Sequence, residues 1–88
     1  MDNEFYIQMI AYIRAEFVRN PAIELNADTP LVSAGLVDSF ALVDILVRLE
    51  EVTGRKLSIN AISAEDLNSV RLMIDTAERL GRPFDNLR

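Results

Sequence analysis

The sequence predicts a small all-α protein, a four-helix bundle of three main helices and one short helix with a long loop between the first and second. Three observations predict it. Apolar residues recur at spacings of three and four in three separate stretches, as one face of a helix requires. No apolar alternation is long enough to build a sheet. The chain has 88 residues, 50% of them apolar and 26% charged, which suits one small core and argues against both disorder and a second domain. Residues 1–88 are therefore read as a single domain with a core over about 4–80 and a loose tail over 81–88.

The first helix is expected over 4–19. Tyr6, Ile10, Ile13 and Phe17 share one face, Met9 widens it, and Gln8, Arg14, Glu16 and Arg19 fall outside it. Asn20-Pro21 should stop it, because the residue before proline is pushed out of the α region. Residues 20–38 then form the long connection. Pro21, Pro30 and Gly35 punctuate it, and Leu25, Leu31, Val32 and Leu36 suggest that it packs across the bundle.

The second helix is expected over 39–53, with Leu42, Ile45, Leu46, Leu49 and Val52 facing the core and Gly54 ending it in a left-handed cap. Residues 61–67 fit one or two turns of a short helix, and Ser63 with Asp66 resembles a capping box. The last helix is expected over 69–80. Ser69 is its N-cap, Val70, Met73, Ile74, Ala77 and Leu80 are its inner stripe, and Gly81 and Pro83 end it.

Composition narrows the chemistry. Without Cys there are no disulfides, thiol nucleophiles or thiolate metal sites, and without His there is no imidazole base or ligand. No Gly-rich phosphate loop or calcium-loop spacing is present, and Glu50-Glu51 are adjacent helical carboxylates that point apart. A catalytic role is therefore not expected, and any reactive group beyond hydroxyls and carboxylates must come from outside. Net charge is −5 and is densest over 38–51, which disfavours nucleic acid and anionic membranes and favours a cationic protein partner. No apolar run is long enough for a membrane span, and the acidic start lacks the basic end of a signal peptide. A cytoplasmic monomer is the expectation.

Two features carry the function. Gly35-Leu36-Val37-Asp38-Ser39-Phe40 ends the loop and opens the second helix, so Ser39 sits where unpaired N–H groups and the helix dipole favour an anion such as a phosphate ester. Asp38 and Ser39 could equally serve only as caps. On the second helix, Phe40, Val43 and Val47 fall on an outward stripe flanked by Asp44, Glu50 and Glu51, with Arg48 interrupting the acids. Such a stripe suits a basic, apolar partner groove, unless Phe40 tucks under the loop and the valines are ordinary surface.

From about residue 4 to residue 80 the chain resembles an acyl carrier protein, of the family that includes acyl, aminoacyl and peptidyl carriers. The resemblance rests on Asp38-Ser39-Phe40 after Gly35-Leu36-Val37, on Asp28-Thr29-Pro30-Leu31, on Leu49-Glu50-Glu51 and on Leu67-Asn68-Ser69-Val70. It implies that a phosphopantetheinyl transferase esterifies Ser39 with 4′-phosphopantetheine from coenzyme A, beside Asp38. Cargo then rides on the arm's thiol as a thioester, set there by an acyl- or aminoacyl-loading ligase and passed to downstream synthases and transferases. The resemblance also implies that Phe40, Val43 and Val47 make apolar partner contacts and that Asp38, Asp44, Glu50 and Glu51 meet basic partner residues. Phe40 after the serine, and Gly35 four residues before it, depart from typical fatty-acid carriers and look more like stand-alone carriers of aminoacyl or specialised acyl groups, D-alanyl carriers included. Acyl cargo, if enclosed, would use Ile45, Leu46, Ile62, Val70 and Ile74. The competing expectation is a small acidic helical interaction module without a cofactor.

Overall fold

The computed structural model describes residues 3–83. Three α-helices, α1 (Asn3–Glu16), α2 (Ser39–Thr53) and α3 (Val70–Leu80), pack pairwise around one core. Met9 and Ile13 come from α1, Ile45 and Leu49 from α2, and Val70, Met73, Ile74 and Ala77 from α3, all without solvent exposure. Between α2 and α3 lie two short 3-10 turns, Ile59–Ala61 and Ala64–Leu67, and Leu67 reaches the core from the second.

α2 has the bounds its periodicity implies, and Gly54 ends it at φ 69° with its N–H on the Glu50 carbonyl. Ser69 caps α3, its hydroxyl accepting the Leu72 N–H at 3.1 Å. The Asp66 carboxylate accepts the Ser63 N–H at 3.0 Å, so the Ser63–Asp66 pairing forms. It forms around a 3-10 turn, however. The short helix expected over 61–67 is split in two at Ile62 and Ser63, whose extended backbones cannot continue a helix.

Four further expectations need correction. α1 ends at Glu16 rather than 19: the N–H groups of Phe17 and Val18 both turn back to the Ile13 carbonyl, and Val18 enters the core. The centre of its inner face is Met9 and Ile13, with Tyr6, Ile10 and Phe17 only half-buried. Leu80 lies on the surface at the end of α3. Arg82–Pro83 (β2), assigned to the loose tail, pairs antiparallel with Arg55–Lys56 (β1), placing Lys56 opposite Arg82; the rest of that tail, 84–88, lies outside the described residues.

The long loop is part of the core. Leu31 is fully buried, Val37 nearly so, and a buried leucine contributes on the order of 1.5–3 kcal/mol. Arg14, expected outside the α1 stripe, gathers the start of the loop: its guanidinium donates to the carbonyls of Val18 (3.0 Å), Asn20 (2.9 Å) and Ile23 (2.6 Å). Those carbonyls have no helix to satisfy them, and leaving them unpaired would cost free energy.

Candidate attachment site

The end of the loop is fixed from both sides before it reaches α2. Asn68 Oδ1 accepts three successive N–H groups, from Leu31 (3.2 Å), Val32 (2.8 Å) and Ser33 (2.9 Å). Gly35 then turns the chain at φ 75°, a left-handed conformation that a side chain would strain. This turn lets the Leu36 and Val37 N–H groups fold back onto the Leu31 carbonyl. Val37 drops into the core, and Asp38 leaves it in an extended conformation, φ −104° and ψ 179°.

Asp38 is the N-cap of α2. Its Oδ1 accepts the Ala41 N–H at 2.9 Å. Ser39 is the first helical residue, exposed, and its hydroxyl makes no hydrogen bond among the described residues. The sequence left the capping role open between these two residues; the geometry gives it to Asp38 and frees Ser39. The Ser39 and Phe40 N–H groups precede any intrahelical acceptor, so they and the helix dipole favour an anion at this position. Other described serines are engaged: Ser33 accepts from Asn68, Ser63 bonds Asp66, and Ser69 caps α3. Ser58 is exposed and makes no side-chain cap, but it stands before a three-residue 3-10 turn rather than an α-helix. Ser39 thus fits a covalent phosphate ester better than any other described serine.

The outward stripe of α2 is open. Phe40 is 86% exposed, Val43 51% and Val47 49%, so Phe40 does not tuck under the loop. It borders a shallow groove shared with Glu16, Phe17, Leu36 and Asp38, which brings the end of α1 to Asp38 and Phe40, something local spacing does not reveal. Asp44 and Glu51 are exposed along the stripe. Glu50 is half-buried, and its carboxylate accepts the Leu57 N–H at 2.8 Å, closing the turn after α2. Arg48 lies over the Tyr12 ring at 4.8 Å and reaches Glu51 at 3.6 Å. Burial, followed by the nearby Asp44 charge, pushes the Tyr12 hydroxyl above its ordinary pKa.

On the other side of Ser39 a cleft of about 170 Å³ opens between α2 and the 3-10 turns. Leu42, Leu46, Ile59, Ile62 and Leu67 make it apolar. Of the residues expected to enclose cargo, Leu46 and Ile62 line it. Ile45, Val70 and Ile74 do not, because they are fully buried in the contacts among the three helices.

Among the described residues, no group of three or more His, Cys, Asp or Glu could hold a metal ion, and no helix is long and apolar enough to cross a membrane. The fold and site together define a carrier: a small helical domain offering, among the described residues, one unengaged serine hydroxyl at an α-helix start, between an apolar cleft and an exposed helix face. The family model for a phosphopantetheine attachment site matches residues 8–77, and the chain belongs to that family, consistent with acyl and peptidyl carriers. It attaches 4′-phosphopantetheine covalently. Domains of this family are generally non-catalytic carriers that interact with transferases and biosynthetic enzymes. No curated protein matches the chain. Family membership removes the ground for a cofactor-free interaction module.

Proposed function

We propose that Ser39 bears the arm, and that the protein holds an acyl or aminoacyl group as a thioester and presents it to partner enzymes in fatty-acid, polyketide or related specialised biosynthesis. The observation that carries this reading is the division of labour at the start of α2. Asp38 satisfies the helix end, so the exposed Ser39 hydroxyl is released from capping and available to a transferase. When bound, the arm supplies the thiol that this Cys-free chain lacks.

The chain's own residues position and present. The Ser39 and Phe40 N–H groups face the ester phosphate. Phe40, Val43 and Val47 offer the apolar face to a partner, and Asp44 and Glu51 offer the charges that select a basic one. Glu50 belongs to that acidic set by position, although its carboxylate is engaged with Leu57. Asp38 lends its negative charge beside the attachment point. The cleft lined by Leu46 and Ile62 favours an acyl chain laid between α2 and the 3-10 turns. A phosphopantetheinyl transferase, a loading ligase and downstream synthases or transferases are the partners, and the protein acts as a cytoplasmic monomer.

The test is incubation with coenzyme A and a broad-specificity transferase, followed by intact mass and fragment mapping. One phosphopantetheine addition on Ser39 is expected, and a folded Ser39→Ala variant should gain none. Equal labelling of Ser39→Ala would sink the assignment.

A further inference from the structure

The β1–β2 ladder sets two cations side by side. Lys56 and Arg82 are directly opposed in the antiparallel register. Their Cβ atoms are therefore about 4.5–5.5 Å apart on one face. Both are exposed, and neither has an ion-pair partner among the described residues, in a protein whose net charge is −5. The other described arginines are engaged: Arg14, Arg19 and Arg55 with carbonyls, Arg48, Arg71 and Arg79 with carboxylates. Like charges directly opposed across a ladder destabilise it. The stability of the fold gives no reason for the pair.

Lys56 and Arg82 border a groove of about 500 Å³, with Leu57, Ala61, Ile62 and Leu80 as its apolar part. This explains the surface position of Leu80: it forms a wall of the groove instead of joining the core. Ile62 lines this groove and also the cleft that opens at Ser39, so the two depressions meet at one side chain. The cleft starts at Ser39 and runs beside the first half of α2 as far as Leu46, and the groove lies past the end of α2, a helix of 15 residues that spans about 22 Å.

We propose that the carried chain ends in a carboxylate, and that Lys56 and Arg82 receive it. The proposal rests on attachment of the arm at Ser39. Two apolar depressions that share Ile62, one starting at the tether and the other bordered by two cations without an ion-pair partner among the described residues, match a chain that is apolar along its length and anionic at its far end. A methyl-terminated chain would gain from the depressions but leave the cations unanswered. A chain ending in an ammonium group would be repelled by them. An acidic peptide from a partner would answer the charges but has no need of the connection to Ser39.

The experiment loads the protein from coenzyme A analogues carrying hydrolysis-resistant chains. Two series of matched lengths are used, one ending in a methyl group and the other in a ¹³C-labelled carboxylate. Intact mass first establishes that both chains sit on Ser39; failure there would defeat the attachment reading and is seen before the cargo is tested. On the loaded protein, the carboxylate series should move the amide resonances of Lys56, Leu57 and Arg82 at one or more lengths, and the methyl series should not. The terminal carboxyl should titrate about one unit below the same chain free in solution. Both effects should disappear in the Lys56→Gln/Arg82→Gln protein, which should fold at least as stably as wild type when unloaded. Equal shifts from both series, an unmoved carboxyl titration at every length, or effects surviving the double variant would overturn the proposal. A polyglutamate peptide that moves these amides when no tethered carboxylate does would also overturn it, in favour of a peptide surface.

Discussion

Asp28 and Arg71, 43 positions apart, close a two-pronged ion pair: Arg71 Nε donates to Asp28 Oδ1 at 2.6 Å and Nη2 to Oδ2 at 3.1 Å. The Arg71 N–H adds a bond to the Ala27 carbonyl at 2.9 Å, and its guanidinium lies 5.7 Å from the centre of the Tyr6 ring. One residue of α3 therefore ties the middle of the long loop to both α3 and α1. The hydrogen bond from Arg71, reinforced by its charge, holds the Asp28 carboxyl below its ordinary value of 3.8.

A carboxyl with a lowered folded-state pKa stabilises the fold above its unfolded pKa, and that contribution is lost as the pH falls through the folded value. Thermal unfolding of wild type should therefore show an acid-side loss below about pH 4 that is shallower in Asp28→Asn. Because both side chains of the pair are exposed, salt should blunt the difference. A carboxyl-detected titration that places Asp28 at or above its ordinary value would contradict the geometry.

Asn68 should matter to the loop through its side-chain oxygen. In Asn68→Ala, the part-buried Val32 N–H and the exposed Ser33 N–H lose their acceptor while the Leu31 N–H keeps the Asn68 carbonyl at 2.7 Å, so the loss should lie near the lower end of the roughly 1–3 kcal/mol that a buried polar group without its partner costs. Urea unfolding should report that loss, and amide exchange should quicken at Val32 and Ser33 in particular. Asn68→Asp keeps the acceptor and gives up only the donor to the Ser33 hydroxyl, so it should fall between the two.

Neighbouring substitutions at the start of α2 should separate stability from modification. Asp38→Ala removes the cap and should destabilise by about 1 kcal/mol, while Ser39 remains available. Ser39→Ala removes a hydroxyl with no hydrogen-bond partner among the described residues and should unfold at nearly the wild-type urea concentration, yet take no arm. If Ser39→Ala were the more destabilised of the two, the assignment of the cap would be wrong.

Phe40 is too exposed to support the core, so Phe40→Ser should leave the urea midpoint nearly unchanged. Its effect should fall on the partners. Transferase kinetics should show KM for the carrier raised several-fold, with smaller increases for Val43→Ser and Val47→Ser, whose side chains present less area. Unchanged kinetics in all three would remove the stripe from the docking surface.

Gly54 tests the other end of α2. A Cβ there would meet nothing within 4 Å, so Gly54→Ala should cost about 1 kcal/mol from the positive φ alone, without disturbing the packing around it. A much larger loss would mean that the turn to Leu57 is more tightly packed than its geometry indicates.

What could be read in the sequence was local. The bounds of α2, the left-handed stop at Gly54, the Ser63–Asp66 bond and the Ser69 cap all depend on residues within four positions of one another, and spacing encodes such pairs directly. The outward set of Phe40, Val43 and Val47 follows in the same way from helical period. The end of α1 was misplaced because Pro21 was the visible stop, whereas the chain leaves the helix earlier to bury Val18 and to meet Arg14. Asn68 carried no mark of its role: its three donors lie 35 to 37 positions away, and an asparagine before a helix reads as an ordinary turn residue.

By itself, then, the sequence determined the helical class, the absence of an internal thiol or imidazole, and a serine poised at a helix start. Each is a matter of composition or of period. Only the tertiary structure decided that Asp38 and not Ser39 is the cap, that Glu50 turns inward to Leu57 while Asp44 and Glu51 stay outside, and that Lys56 meets Arg82 beside an apolar groove. These outcomes depend on backbone direction and on partners brought together by burial of the core, which residue spacing along one helix does not specify.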